Sequence, residues 1–241
     1  MPDSGGRLGS YVVIGAGGIG SWLLRLLVPY LHSSDPGARV TVVDGDSFEP
    51  ANRSRVAFSE YGPKAVVLAA ELADLYGDRI NLVPVPDYFT RRNAGVLIGE
   101  SDVVFCQPDN MATRRLVERR CMRLRDVALF SGGNDDVTDP SGGTFGNVQV
   151  YLRREGADAT NPLSAFHPEI ARPADRAPDA VGCAAAVASA PQILFTNASV
   201  AAAMLSTFFA WRSGRLDYEE LYLDIATGRS VPVQRALRTR A

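Results

Sequence analysis

Cysteine is scarce in this chain of 241 residues, and its scarcity excludes two classes of protein. Three cysteines, an odd number without a C-x-x-C pair, argue against a disulfide scaffold and against a four-cysteine zinc site. The opening residues 1–6 contain no apolar stretch like that of a signal peptide. We therefore expect a cytoplasmic enzyme in a reducing compartment, without zinc.

A strong net charge is also missing. The formal net charge is -2, which disfavours a general binder of nucleic acid or of anionic membranes, because such binding depends on a positive field. The uncharged stretch 181–211 is long enough for a membrane span, but its polar residues and many alanines favour a pair of buried helices. With 46% hydrophobic residues, the chain is expected to form one domain over residues 1–241.

Strand and helix patterns alternate through the first half of the chain. The apolar run 11–14 leads into a glycine-rich turn and then into apolar residues at helical spacing up to about residue 31. A β-branched run at 40–43 completes a βαβ unit. Further elements are predicted as helices at 62–75, 91–98 and 110–125, and as strands at 81–85, 102–106 and 127–131. The alternation predicts an α/β fold with a doubly wound parallel sheet over 11–131.

The second half, 132–241, follows a different pattern. An alternating strand is predicted at 147–152, and a hairpin over 218–225 and 230–233. The segment 154–180 is rich in proline and poor in large apolar residues, so we expect a mobile loop there. These strands would extend the parallel sheet into a mixed one.

A glycine-rich sequence lies where the first predicted strand passes into the first helix. Its glycines are Gly15, Gly17, Gly18 and Gly20. Backbone N–H groups and the helix N-terminus face the end of the strand there, and phosphates are their natural ligands. Asp44, at the end of the second strand, is placed to accept hydrogen bonds from a ribose. These features alone suit an NAD-linked dehydrogenase as well as an ATP site.

Charged and polar residues farther along the chain distinguish an ATP site from the site of an NAD-linked dehydrogenase. They are Asp46, Asn52, Arg55, Lys64, Asp109 and Asn110, and Lys64 is the only lysine among 25 basic residues. Hydride transfer places no new charge on a pyrophosphate, whereas adenylation brings a carboxylate to the α-phosphate of a polyanion. Arginine and lysine side chains with a magnesium ion provide the electrostatic stabilisation that this attack requires.

The ordered motifs resemble those of the ThiF-type activating enzymes, bacterial relatives of the ubiquitin-activating enzyme. The family pattern reads roughly G-x-G-G-x-G-S, D-x-D-x-V-x-x-S-N-x-x-R-Q, G-x-x-K and D-N-x-x-x-R. The matching residues are Gly15 to Ser21, Asp44, Asp46, Asn52, Arg55, Gly62, Lys64, Asp109, Asn110 and Arg114. The resemblance covers about residues 11–116 and implies a Rossmann-like mixed sheet with an ATP-binding glycine loop.

The resemblance also implies a reaction: ATP- and Mg²⁺-dependent adenylation of the C-terminal glycine of a ubiquitin-like or sulfur-carrier protein with a Gly-Gly end. By matching position, Asp44 would hold the ribose, and Arg55 and Lys64 the ATP phosphates. Asp109 would hold the magnesium, with Asp46, Asn52 and Asn110 nearby. The family implies a homodimer, and the low net charge argues against nucleic acid or a membrane as a partner. Cys183 either takes the acyl group as a thioester or persulfide, or is a small buried residue.

The chain departs from the family pattern at the N-terminal arm, where Arg7 is the only arginine that could reach a neighbouring subunit, and at Val56, which replaces a glutamine. The arginines of 110–125 form a solvated face, a subunit contact or a docking surface for an acidic partner. Three alternatives stay open. They are adenylation of a small molecule or an RNA base, an NAD-dependent oxidoreductase, and a non-catalytic nucleotide-binding protein.

Overall fold

The computed structural model describes residues 9–50, 53, 58–177 and 192–236. Its strands are β1 (Ser10–Ile14), β2 (Arg39–Val43), β3 (Ser47–Phe48), β4 (Gly62–Pro63), β5 (Asn81–Val85), β6 (Val103–Cys106), β7 (Val127–Asn134), β8 (Phe145–Arg154), β9 (Ala157–Asp158), β10 (Glu220–Asp224) and β11 (Arg229–Val233). Its helices are α1 (Gly18–Ser34), α2 (Lys64–Tyr76), α3 (Ala94–Leu97), α4 (Met111–Cys121), α5 (Pro168–Ala171) and α6 (Leu194–Arg212).

A mixed sheet forms the centre of the described part of the chain. Its strand order is β11-β10-β8-β7-β6-β1-β2-β5, with β9 paired to β8. The strands from β5 to β7 run parallel, whereas β8, β10 and β11 pair antiparallel. The parallel half and the antiparallel extension confirm the predicted Rossmann-like mixed sheet. A separate ribbon of β3 and β4 lies between β2 and α2 in the chain.

Helices cover both faces of the sheet, which explains why β1 and β2 are nearly continuous runs of apolar residues. On one face, α1, α2 and α6 enclose a core in which Phe208 makes edge contacts with the rings of Phe105 and Phe130. On the other face, Val117 and Cys121 of α4 pack with Leu129 and residues of α5. The two cores fix the carboxyl ends of the parallel strands at one edge of the sheet.

Helix α6 is long and apolar enough to span a membrane by length and composition alone, with 19 residues and a mean hydropathy of 1.3. In the structure it packs against α1, β7 and β8. Glycines allow this close approach: a Cβ at Gly132 would lie 2.2 Å from Met204 Sδ, and one at Gly146 would lie 2.4 Å from Val200 Cγ2. One helix, partly buried, lies in the stretch 181–211 that was predicted to form a pair of buried helices, and residues 181–191 lie outside the described residues.

The segment expected to be a mobile loop, 154–180, is packed as far as the structure describes it, through residue 177. It contains β9, a 3-10 turn at Leu163–Ala165 and α5. Leu163 and Ile170 are buried in the core around α4, and His167 is buried as well. The expectation of a poorly packed segment is therefore corrected, because two well-placed apolar side chains and a network of polar contacts anchor a stretch of low average hydrophobicity.

Candidate functional site

The glycine loop joins β1 to α1 and leaves an open space at the start of the helix. Gly15 has φ +94°, a left-handed conformation that favours glycine, and a Cβ at Gly20 would lie 1.9 Å from the Gly15 carbonyl oxygen. A Cβ at Gly17 would meet nothing within 4 Å, and α1 starts without a side-chain cap. The first-turn N–H groups, which no described side chain caps, can therefore donate to an anion in front of the loop.

Asp44 links the end of β2 to this loop. Its carboxylate accepts hydrogen bonds from the backbone N–H of Ala16, at 2.6 Å, and from that of Asp46, at 2.8 Å. Burial raises the pKa of Asp44, while the nearby charge of Lys64 opposes that rise. The structure therefore places the predicted ribose ligand beside the glycine loop, and its contact with a ribose stays a prediction.

Lys64 and Asp46 meet close to Asp44. Lys64 Nζ lies 3.0 Å from Asp46 Oδ2, and the backbone N–H of Lys64 donates to the Asp46 carbonyl at 2.9 Å. Tyr88, just beyond β5, donates from its hydroxyl to Asp46 Oδ1 at 2.6 Å. Burial by itself would raise the pKa of Asp46, but Lys64 and Tyr88 hold it below its usual value. The pairing of β3 with β4 brings together these charges, which are 18 residues apart in the chain.

Asp109 is exposed in the loop after β6, where a ligand can reach it. Asn110 next to it caps α4, because its Oδ1 accepts from the backbone N–H of Thr113 at 2.8 Å. Arg114 is buried and donates to the Pro108 carbonyl, the Ser131 hydroxyl and the Gly132 carbonyl. These contacts hold the loop that carries Asp109 against β7.

The N-terminus of α4 is occupied by the protein itself. The Asp175 carboxylate accepts from the N–H groups of Met111 and Ala112, at 2.7 and 2.8 Å, and Asn110 satisfies the N–H of Thr113. Of the two helices that follow β1 and β6, α1 alone therefore has an uncapped first turn. A phosphate group is expected at α1 rather than at α4.

Some polar residues at the site were not identified from the sequence. Gln107 follows β6 directly, and its Nε2 donates to the Gly15 carbonyl at 2.7 Å. Asn197, in the first turn of α6, faces Gly18. A single amide within a long apolar helix was the available signal for Asn197, and the position shortly after a strand was the signal for Gln107 and Tyr88.

Three predicted site residues, Asn52, Arg55 and Cys183, lie outside the described residues, as does Arg7. The other two cysteines, Cys106 and Cys121, are buried, and burial raises the pKa of Cys106 to about 12. Such a thiol is inert at neutral pH. Both cysteines are therefore structural.

The arginines of α4 are divided between two environments. Arg115 forms an ion pair with the buried Glu118 and donates to Ser164, and Arg120 donates to the Ile98 carbonyl. Together with the buried Arg114, these side chains stabilise the fold, while Arg119 is exposed. Fewer arginines of α4 are therefore exposed to solvent than its arginine content indicates.

A magnesium ion fits the donors at this site only if a nucleotide provides further ligands. Among the residues that the structure describes, no group of three or more His, Cys, Asp or Glu side chains could hold a metal ion. Mg²⁺ is commonly bound by one or two carboxylates together with phosphate oxygens and water. Asp109 is exposed beside the strand edge that carries the glycine loop, which fits such an arrangement.

Comparison with known proteins supports the fold and the family of this chain. The model of the ThiF family matches residues 7–222. The "Adenylyltransferase and sulfurtransferase MOCS3" of Dictyostelium discoideum is 32% identical over 126 residues, which cover 51% of this chain and 28% of that protein. The crystal structure of E. coli MccB with ATP matches with a TM-score of 0.66 and 16% identity, over 95% of this chain and 64% of that one.

A crystal structure of PaaA matches similarly, with a TM-score of 0.65 and 16% identity, over 94% of this chain and 64% of that chain. The chain thus spans less than a third of the length of the curated relative and just under two thirds of these solved chains.

Proposed function

This chain belongs to the ThiF family, and from that premise we propose that it uses ATP and Mg²⁺ to adenylate the C-terminal carboxylate of a partner protein. One observation carries the proposal: the only lysine of the chain lies with Asp44 and Asp46 beside a glycine loop whose helix starts uncapped. An electropositive helix end and a preoriented ammonium group favour a polyphosphate. Family membership also disfavours the oxidoreductase alternative.

In the proposed reaction, a carboxylate oxygen of the partner bonds to the α-phosphorus of ATP, and the bond from that phosphorus to the bridging oxygen of the β-phosphate breaks. Pyrophosphate leaves with the bonding electrons. A general base is unnecessary, since a terminal carboxylate is ionised at pH 7. The chain's part is to position the phosphates and to offset their negative charge.

The main predicted residues have a place in this scheme. The first-turn N–H groups of α1 bind phosphate oxygens, and Asp44 binds the ribose. Lys64 and Arg55 bind the phosphates. The Lys64 ammonium already forms an ion pair with Asp46, at 3.0 Å, beside the glycine loop. Asp109 would hold the magnesium ion, whose charge would stabilise the departing pyrophosphate.

For the partner, we propose a ubiquitin-like or sulfur-carrier protein that ends in Gly-Gly. The ordered motifs and the name of the Dictyostelium relative, an adenylyltransferase and sulfurtransferase, support this choice. A substrate other than a Gly-Gly protein is the second candidate, because several of the matched MccB structures are complexes with MccA. Dependence of pyrophosphate exchange on a Gly-Gly protein separates the two.

We further propose a homodimer and an acyl acceptor at Cys183. Large apolar side chains are exposed on α1 and α6, namely Leu26 at 47%, Phe195 at 71% and Phe209 at 47%. Surfaces of this kind favour subunit contacts. Cys183 precedes α6 by 11 residues, and a thioester sensitive to hydroxylamine on that residue alone would support its role in transfer.

The first test is thermal stabilisation by ATP with Mg²⁺ beside NAD, since a ligand that binds only the native state raises the melting temperature. We expect ATP to stabilise the wild type, and Arg55→Ala and Asp109→Ala to abolish the effect. Arg53→Ala is the matched control, because Arg53 stacks on Tyr61 at 5.5 Å and has no role in the proposed site. Stabilisation by NAD alone would contradict the proposal.

A further inference from the structure

Asn197 is a buried amide that faces the glycine loop. It lies in the first turn of α6 and is 0% exposed, and a Cβ added at Gly18 would be 2.3 Å from its Nδ2. Neither its Nδ2 nor its Oδ1 has a hydrogen-bond partner in the described part of the chain. The contact joins α6, from the second half of the chain, to the first residue of α1.

An unpaired buried amide is costly, so its presence needs an explanation. Replacing such a group by an apolar group of the same shape is usually neutral or stabilising. Other buried polar side chains of α6 are satisfied, since Thr196 donates to the Gly143 carbonyl and Thr207 to the Ala203 carbonyl, each at 2.8 Å. Unlike these two, Asn197 faces the glycine loop.

The loop itself can provide the missing partners. Gly17 and Gly18 have no side chains, and Gly17 borders open space, so the backbone here can shift, and the Gly17 carbonyl would give up its bond from the Ser21 N–H, at 2.9 Å, when its peptide turns. A phosphate in front of the loop attracts N–H groups, and a peptide that turns its N–H toward the ligand turns its carbonyl the other way. The amide of Asn197 offers both donors and an acceptor to such a rearranged loop.

We propose that Asn197 is a positioning residue whose amide hydrogen-bonds the Gly17–Gly18 backbone when a nucleotide occupies the glycine loop. The inference rests on the proposed function, because it needs a phosphate ligand at α1. Asn197 does not touch that ligand, since it is fully buried. It stabilises the bound form of the loop and thereby links α6 to nucleotide binding.

The test compares stability without ligand and affinity for ATP with Mg²⁺ in the full-length chain. Asn197→Leu, a substitution of similar size, is expected to unfold at the same temperature as the wild type or higher, because it removes an unpaired polar group. Its dissociation constant for ATP, measured by calorimetry, should rise about tenfold, which corresponds to about 1.4 kcal/mol. The control, Thr207→Val, loses satisfied hydrogen bonds and should melt lower while binding ATP as the wild type does.

Asn197→Ala keeps the test valid if leucine does not fit beside Gly18, because it removes the amide without adding volume. Wild-type affinity for ATP in a folded Asn197 variant would overturn the inference and leave the proposed function intact. A melting temperature as low as that of Thr207→Val with unchanged affinity would also overturn it, since the amide would then be merely structural. A wild type that does not bind ATP would remove the proposed function, and the inference with it.

Discussion

The strongest pH dependence is expected from a buried cluster around His167 and Glu220. His167 Nδ1 lies 2.9 Å from Glu169 Oε1, and its Nε2 lies 3.1 Å from Glu220 Oε1. Glu220 Oε2 also accepts from the Tyr222 hydroxyl at 2.7 Å and from Arg235 at 3.1 Å. Burial by itself would lower the pKa of His167, but its bonds to the two carboxylates raise it. Burial would likewise raise the pKa of Glu220, but its donors lower it to about 2.

Glu220→Gln removes the carboxylate between these donors. A pKa displaced from 4.5 to about 2 corresponds to a stabilisation of up to about 3 kcal/mol, which is present above pH 4.5 and is lost as the pH falls toward 2. The raised pKa of His167 acts in the opposite direction, since its contribution is complete below pH 6.5 and is lost as the pH rises through its folded value. The cluster therefore stabilises the fold most between about pH 4.5 and 6.5.

Urea unfolding at a series of pH values, followed by circular dichroism, measures this contribution. The difference between the wild type and Glu220→Gln should reach about 3 kcal/mol near pH 5.5 and shrink toward acid pH. Asp78→Asn is the control, because its carboxylate pairs with His32 at the surface, where ion pairs contribute about 1 kcal/mol or less. A difference that stays constant from pH 3 to 6, or one no larger than that of Asp78→Asn, would refute the reasoning.

Three further outcomes follow from the site. Gly20→Ala should lower the yield and the melting temperature of the folded protein, because its Cβ would lie 1.9 Å from a carbonyl oxygen, whereas Gly17→Ala should fold normally. Equal melting temperatures of the two variants would contradict this. Asp175→Ala should cost about 1 kcal/mol in urea unfolding by uncapping α4, and no loss would contradict the capping role. Lys64→Arg keeps the positive charge but should weaken ATP binding in calorimetry, because a planar guanidinium would pair with Asp46 in a different geometry from the compact ammonium. Wild-type affinity would contradict a need for an ammonium.

Much of the fold could be predicted from the sequence because its elements are strongly periodic. The strand predicted at 81–85 is observed at Asn81–Val85, and the predicted terminal hairpin is β10 and β11. The segment 154–180 was harder, since its packing depends on single anchors such as Ile170 rather than on a periodic pattern. Average composition does not reveal such anchors.

The motif residues of the site could be predicted, but the groups that support them could not. Asp44, Asp46 and Lys64 occur at recognisable spacings and meet in the structure. Asp175 accepts a hydrogen bond from Met111 of α4, although the two residues are 64 positions apart in the chain. Asn197 of α6 lies beside Gly18 of α1. Contacts over such distances depend on the tertiary packing, which no local pattern encodes.

Two of the arginines and the single lysine make contacts that suit their different charged groups. The buried Arg114 and the partly buried Arg120 each donate two hydrogen bonds to backbone carbonyl oxygens, a role for which a guanidinium with five N–H donors is suited. Lys64 instead presents a compact ammonium to one carboxylate at the edge of the glycine loop. In a chain where 24 of 25 basic residues are arginine, the single lysine therefore stands where it pairs with one carboxylate, not where carbonyl groups are bridged.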